Sequence, residues 1–345
     1  MVTNQQLESA LVTALQTAGR GHRGANPLVG ACILDDDGNL IATGYHLGAG
    51  HPHAEVDALR RLGKMDSATA RKLTMIVTLE PCNHTGRTGP CARAIAEAGI
   101  GQVYYAVSDN TAASGGAEYL RSRGIPATQF ADDSAARALN HRWFLSKEQS
   151  RPFITVKLAQ SLDARINAPD GTSQWITSPE SRNHAHGLRS RVDGILVGTN
   201  TAVIDNPRLS ARTKDGQLYS KQPYRLVMGQ RDLPESLALA VGDDWERINS
   251  HDVHAVIERA NELGLGHLLI EGGATVASAF IEADLADELY CYQAPLLIGA
   301  GSSSVNLPTT TLSQAHRYRL DTASNESLAR LGDDIMLHLE PLPRG

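Results

Sequence analysis

Two short segments carry residue types able to hold a metal and move protons. The first reads His51-Pro52-His53-Ala54-Glu55-Val56. The second runs from Thr78 to Cys91 and includes Glu80-Pro81-Cys82-Asn83-His84 and Gly89-Pro90-Cys91. One imidazole and two thiolates (His53, Cys82, Cys91) make three protein ligands suited to Zn2+. Three ligands leave the fourth position to water, the arrangement of a catalytic zinc site. Zinc lowers the pKa of such a water toward neutrality. A carboxylate two residues past the histidine, Glu55, can shuttle a proton without ligating the metal.

Taken singly these residues are ordinary, since lone cysteines are mostly inert core thiols. The joint pattern is informative: His-x-Glu opens one helix and Pro-Cys ends a strand, as in zinc nucleobase deaminases. That signature usually has two residues between the cysteines; here there are eight. His51 and His84 lie beside the ligands and read as pocket walls. Cys32, in an apolar strand, and Cys291, between two tyrosines, read as core thiols.

The second half carries a different set. Lys157-Leu158-Ala159-Gln160-Ser161-Leu162-Asp163 leads to Ser173-Gln174-Trp175-Ile176-Thr177-Ser178, then to Gly198-Thr199-Asn200-Thr201 and Asp205-Asn206-Pro207-Arg208. Near the end stands Glu271-Gly272-Gly273-Ala274-Thr275. Backbone N–H groups at Gly272, Gly273 and Thr275, opening a helix, would suit a dinucleotide phosphate. Arg189 and Arg212 could clamp a substrate phosphate. The chain has no Gly-x-Gly-x-x-Gly fingerprint, so a Rossmann domain has little support.

The elements that position these residues alternate. Apolar spacing predicts a helix over 5–18, strands over 28–34 and 40–44, a helix over 54–62, a strand over 74–79, a helix over 91–98 and a strand over 102–107. After a polar stretch at Ser146–Pro152 the alternation resumes: strands 153–158, 194–198 and 224–228, helix 253–263, strand 267–271, helix 275–283 and strand 288–294. This is an α/β pattern in both halves. We expect two domains, 1–148 and 149–345, as also suits a chain of 345 residues.

Composition narrows the function. A hydrophobic fraction of 41% with 20% charged residues is ordinary globular usage. The formal charge of −6 comes without a basic stripe, against nucleic-acid binding. No apolar run approaches the roughly 18 residues that span a bilayer. The polar N-terminus lacks a signal-peptide layout. Four cysteines in this length are no disulfide framework, so a cytoplasmic protein with reduced thiols is expected.

Residues 78–91 together with Asn26-Pro27-Leu28-Val29-Gly30 closely resemble the deaminase domain of the bifunctional riboflavin-biosynthesis proteins. The second-half segments resemble, in order, that family's reductase domain, which has a dihydrofolate-reductase-like fold. The resemblance implies a cytidine-deaminase-like zinc domain followed by an NADPH-dependent reductase. It implies that His53, Cys82 and Cys91 bind zinc, that Glu55 is the proton shuttle, and that Arg87 and Asp109 hold a pyrimidine ribosyl phosphate. It further implies that Ala159, Trp175, Thr177, Thr201 and Asp205 line the NADPH site, and that Ser173, Arg189, Leu209, Arg212 and Glu271 touch the ribosylamino substrate. Asp205 is also a candidate catalytic residue.

The implied activity is deamination of 2,5-diamino-6-ribosylamino-4(3H)-pyrimidinone 5′-phosphate, then reduction of its ribosyl group to ribityl. The expected partner is this small substrate, with no nucleic acid or membrane, in a homo-oligomer. The chain departs from the family at Ala164 (usually Gly), Asn206 (usually Asp) and Gly229 (usually Asp), and in the short loop after Asp109. Two other readings compete. A stand-alone nucleobase or tRNA deaminase with an inert second domain predicts a basic surface. A non-catalytic zinc-stabilised scaffold predicts a closed four-ligand site.

Overall fold

The computed structural model describes all residues except Met1, Ala49, 85–88, Asn110, Ala112, 309–310, 322–326 and 343–345. The chain divides into two compact units, Met1–Lys147 and Glu148–Gly345.

The first unit runs α1 (Asn4–Ala18), β1 (Gly30–Leu34), β2 (Leu40–Tyr45), α2 (Ala54–Leu62), α3 (Ser67–Ala70), β3 (Thr74–Leu79), α4 (Cys91–Ala98), β4 (Gln102–Val107), α5 (Gly116–Ser122), β5 (Ala127–Gln129), α6 (Ser134–Leu139) and α7 (His141–Glu148). Its sheet has the order β2-β1-β3-β4-β5; β1 is antiparallel to β2 and β3, and β3, β4 and β5 are parallel. Asp35 makes the hairpin: its carboxylate accepts from the Asp37 and Asn39 backbone N–H at 3.0 and 2.8 Å. Alternation along β1 splits the core in two. Ala31 and Ile33 pack with Ala54 and Ala58 of α2 and Ile95 of α4, while Cys32 and Leu34 pack with Leu7, Ala10 and Ala14 of α1. Gly30 admits α1 to this sheet, since a Cβ there would stand 2.0 Å from the Ala14 carbonyl oxygen.

The first strand begins at Gly30 rather than at residue 28. The side chain of Asn140 takes both backbone groups of Leu28, accepting from its N–H and donating to its carbonyl at 2.8 Å each, so Leu28 is held by the α6–α7 junction.

The second unit runs β6 (Phe153–Ser161), α8 (Pro179–Arg191), β7 (Gly194–Gly198), α9 (Thr199–Ile204), β8 (Tyr224–Met228), β9 (Trp245–Ile248), α10 (Val253–Glu262), β10 (His267–Ile270), α11 (Ala274–Glu282), β11 (Glu288–Ala294), β12 (Tyr318–Leu320), β13 (Leu328–Leu331) and β14 (Asp334–Pro341). The sheet order is β12-β14-β11-β6-β10-β7-β8-β9, with β13 also on β14. Strands β11 through β9 in that order are parallel; β14 is antiparallel to its neighbours. Leu268 and Ile270 face α10 and α11 on one side, and Leu269 faces Ala185 and Leu188 of α8 on the other. After β6 the chain moves outward through β7, β8 and β9, then returns to lay β10 between β6 and β7. Such a reversal opens a crevice at the carboxyl ends of the strands, where open α/β sheets bind ligands.

The polar stretch at Ser146–Pro152 is not simply a solvated linker. Helix α7 runs into it, and Arg151 is buried, donating to both oxygens of fully buried Asp287 at 2.6 and 2.9 Å. Strand β6 extends past Leu158 to Ser161 because β11 pairs with it as far as Ala294.

Candidate active sites

In the first unit a strand end and two helix N-termini converge. Cys82 follows β3, His53 is the N-cap of α2, and Cys91 is the first residue of α4. Cys82 Sγ and Cys91 Sγ lie 3.6 and 3.3 Å from His53 Nδ1. Tetrahedral zinc with ordinary Zn–N and Zn–S lengths sets N and S about 3.6 Å apart. The three side chains therefore fit zinc, and their ligand atoms all lie within 4.8 Å of one another. The Cys91 backbone N–H donates to Cys82 Sγ at 3.4 Å, and the positive end of α4 favours thiolate there. The Cys82 thiol is held below its usual range, chiefly by its hydrogen bond with Cys91.

Glu55, in the first turn of α2, is buried in the same pocket. Burial pushes its carboxyl up to about 7, so both protonation states are accessible near neutrality. The pocket holds about 530 Å³ and is also lined by His51, His84 and Asp109. Asp109 is buried and accepts from the Thr111 N–H at 2.9 Å. Arg87, Asn110 and Ala112 lie outside the described residues.

Three contributors escaped sequence reading. His46 packs edge-on against His53 at 5.1 Å. Its Nδ1 donates to the Pro52 carbonyl at 2.9 Å, so the neutral ring accepts through Nε2 from the Asn26 amide at 3.2 Å. Glu80 accepts from the Asp109 and Ala117 backbone N–H groups and so pins the loop that carries Asp109. Trp143 of α7 donates from Nε1 to the Ala25 carbonyl at 3.1 Å, fixing the wall that contains Asn26. The one sequence signal among these was Glu80, inside the second motif.

In the second unit two cavities of about 550 and 650 Å³ share Lys157, Ala159, Ser173, Thr201, Asp205 and Glu271, and so form one cleft at the carboxyl ends of the strands. The smaller half is walled by Gly198, Gly272, Gly273 and Thr275. Gly273 is the N-cap of α11 and donates its N–H to Thr201 Oγ1 at 3.2 Å. A Cβ on Gly272 would stand 2.9 Å from Val276 Cβ and 3.1 Å from the Gly198 nitrogen. The bare helix N-terminus fits a dinucleotide phosphate.

The larger half holds Arg189, Leu209 and Arg212, and also Trp175 and Thr177, which were expected beside NADPH. Trp175 is exposed and stacks under the Arg182 guanidinium at 4.4 Å. Arg189 and Glu271 pair with each other at 2.7 and 2.9 Å, and Arg189 also donates to the Ser210 carbonyl. Burial alone would raise the Glu271 carboxyl; Arg189 and Lys157 override it and hold it at about 2. The two arginines are thus not equivalent. Arg189 is committed to Glu271, whereas buried Nε of Arg212 has no protein partner, nor has Thr213 Oγ1, and both residues line this half of the cleft. Those orphaned atoms suit an anionic group. Across the cleft Asp205 accepts from Ser173 Oγ at 3.1 Å.

Two of the three departures have local causes. Asn206 at φ 40 occupies the left-handed region, where Asn is better tolerated than most residues; Ala164 at φ 58 occupies it too, where glycine fits without strain, and nothing in the structure explains the alanine. Asn206 Oδ1 also accepts from the Ala238 N–H at 2.7 Å. At Gly229, with φ 137, a Cβ would stand 2.9 Å from the Thr199 side chain.

These units define a two-part enzyme, a zinc deaminase joined to a reductase. The cytidine and deoxycytidylate deaminase zinc-binding region matches residues 4–107, and the RibD C-terminal domain matches residues 152–329. The chain is 42% identical over 314 residues to the riboflavin biosynthesis protein RibD of Corynebacterium ammoniagenes, covering 88% of this chain and 90% of that one. It is 32% identical to RibD of Escherichia coli K12 over 97% and 99% of the two chains. Among solved structures, Acinetobacter baumannii RibD matches with TM-score 0.76 at 30% identity over 98% and 99% of the chains. A Thermotoga maritima diaminohydroxyphosphoribosylaminopyrimidine deaminase/5-amino-6-(5-phosphoribosylamino)uracil reductase matches with TM-score 0.72 at 25% identity over the same shares. The chain belongs to the RibD family of riboflavin biosynthesis proteins, bifunctional deaminases and reductases that use Zn2+ and NADPH. Among the described residues no helix is long and apolar enough to cross a membrane.

Proposed function

We propose that the first unit deaminates 2,5-diamino-6-ribosylamino-4(3H)-pyrimidinone 5′-phosphate and that the second reduces the ribosyl group of the product to ribityl. The observation that carries this reading is the His53–Cys82–Cys91 triad with buried Glu55 in the same pocket. When bound, zinc supplies a water nucleophile available near neutral pH. Glu55 carries a proton to the departing amine, which leaves as ammonia. Asp109 binds the pyrimidine, with Arg87 as a phosphate partner.

In the second unit NADPH supplies hydride. Gly272, Gly273 and Thr275 hold its phosphate, with Ala159 and Thr201 along the same wall. Arg212 receives the substrate phosphate, while the Arg189–Glu271 pair, Leu209 and Ser173 shape the sugar side. Trp175 and Thr177 flank the approach from that side. The remaining features of the reading are a homo-oligomer in the cytoplasm that engages neither nucleic acid nor membrane; the charge of −6 supports the absence of nucleic acid.

Asp205 sits between the two halves of the cleft and can orient the opened sugar or deliver the proton that accompanies hydride. Asp205→Asn keeps an acceptor for Ser173 but not a proton donor. The expected result is a normal melting temperature, intact ammonia release and NADPH oxidation slower by at least ~10-fold, about 1.4 kcal/mol of barrier. Unchanged reduction kinetics in this variant would reduce Asp205 to a structural residue of the turn before Pro207.

A further inference from the structure

The larger half of the reductase cleft is rich in cationic donors. Six of its described lining residues are lysine or arginine, against two carboxylates, Asp205 and Glu271. Both carboxylates are engaged within the protein, Glu271 by Arg189 at 2.7 and 2.9 Å and Asp205 by Ser173 Oγ at 3.1 Å. Such a lining suits a phosphate better than it suits the hydroxyl protons of a sugar.

His186 differs from this lining. It lies on α8 one turn before Arg189 and borders the same cavity. Its Nδ1 stands 3.0 Å from the Ser210 carbonyl oxygen. A carbonyl can only accept, so the ring carries its proton on Nδ1 and a lone pair on Nε2. Among the described residues no protein group donates to Nε2. Burial, then the charges of Arg189 and Arg212, hold the imidazole down at about 4, so the lone pair persists at neutral pH. The Ser210 carbonyl also accepts from Arg189 Nη1 at 3.2 Å, which sets the ring beside the Arg189–Glu271 pair. His186 thus stands among the arginine that receives the substrate phosphate and the pair that shapes the sugar side. An ionised phosphate, all acceptor, gains nothing from Nε2, whereas a hydroxyl can donate to it.

We propose that His186 Nε2 accepts a hydrogen bond from the 2′ or 3′ hydroxyl of the reductase substrate and so makes the second unit select a hydroxylated sugar. The inference rests on the reductase reading given above.

The test uses the phosphorylated ribityl product and its 2′-deoxy and 3′-deoxy forms as competitive inhibitors of NADPH oxidation by the full chain, in wild type, His186→Phe and His186→Gln. In wild type one deoxy form should inhibit roughly fivefold more weakly than the product, the effect of one neutral hydrogen bond. His186→Phe keeps a ring and removes the acceptor. Inhibition by the product should weaken there by about the same factor, while that deoxy form should inhibit as it does wild type. His186→Gln returns an acceptor and should restore most of the preference. The wild-type comparison needs no variant, and so holds even where a substitution disturbs the fold. Deoxy forms that both inhibit wild type as well as the product does, or a loss in His186→Phe that is equal for all three inhibitors, would overturn the inference and leave the reductase reading intact. A wild-type chain that does not oxidise NADPH with the deaminated intermediate would overturn that reading, and this inference with it.

Discussion

Glu55→Gln is expected to lower deamination by ~10²–10⁴-fold, the usual contribution of a positioned acid–base group, while zinc stays bound. Gln has nearly the size of Glu and fits the same buried space at the first turn of α2. It cannot take up or release the proton that a carboxyl poised at about 7 can exchange. The ligand set His53, Cys82 and Cys91 is untouched, so metal content measured by atomic emission should equal that of wild type. NADPH oxidation with the deaminated intermediate should also be unchanged. Near-normal ammonia release by Glu55→Gln would remove the proton-shuttle role.

The second large effect concerns folding of the reductase unit. Arg151→Met takes the guanidinium from the Asp287 carboxylate, which is fully buried. Removing one partner of a buried pair costs about 3–5 kcal/mol, because the other charge keeps its desolvation penalty. Arg151 also donates to the Pro152 carbonyl, and Asp287 accepts from the Ile154 N–H, so the pair anchors the start of β6 at the centre of the sheet. Denaturant unfolding of Arg151→Met should show a lower midpoint for the reductase unit. The double variant Arg151→Met/Asp287→Asn should recover much of the loss, since Asn removes the unpaired buried charge and still offers an acceptor to the Ile154 N–H. A single variant as stable as wild type would mean that the pair contributes nothing net.

Much of the first site was legible because its chemistry sits in two contiguous motifs at element ends. Zinc ligands need fixed residue types, and Pro81-Cys82 and Pro90-Cys91 mark a strand end and a helix start. His46, Asn140 and Trp143 were not legible, because their roles depend on which segments the fold brings beside the pocket. The central strands of both sheets stood out as apolar runs. Helix α8 did not: its buried positions, Ser181, Ala185 and Leu188, are mostly small, so no apolar stripe shows. Its start carried a readable signal all the same, with Ser178 capping the Ser181 N–H, Pro179 in the first turn and Glu180 beside it.

Strand β14 defeats alternation for a different reason. It buries Asp334, His338 and Glu340 and leaves Ile335 exposed. The buried polar residues find partners outside the strand: His338 Nε2 meets Glu288 at 2.7 Å across the sheet, although its buried Nδ1 has no hydrogen-bond partner among the described residues, and Asp334 accepts from the Ser178 N–H at the start of α8 at 2.7 Å. Such pairings are invisible in one strand read alone. The difference between Arg189 and Arg212 was hidden in the same way, since only the fold brings Glu271 against one of them.

The proposed activity consists of two separable reactions in a fixed order, zinc-dependent loss of ammonia and then NADPH-dependent reduction. The most direct measurement follows ammonia release and NADPH oxidation in one sample, with NADPH either present or withheld. Without NADPH, ammonia should be released in full and the deaminated intermediate should accumulate; adding NADPH should then start its oxidation with no further ammonia. Ammonia release that requires NADPH, or NADPH oxidation that precedes it, would contradict that order.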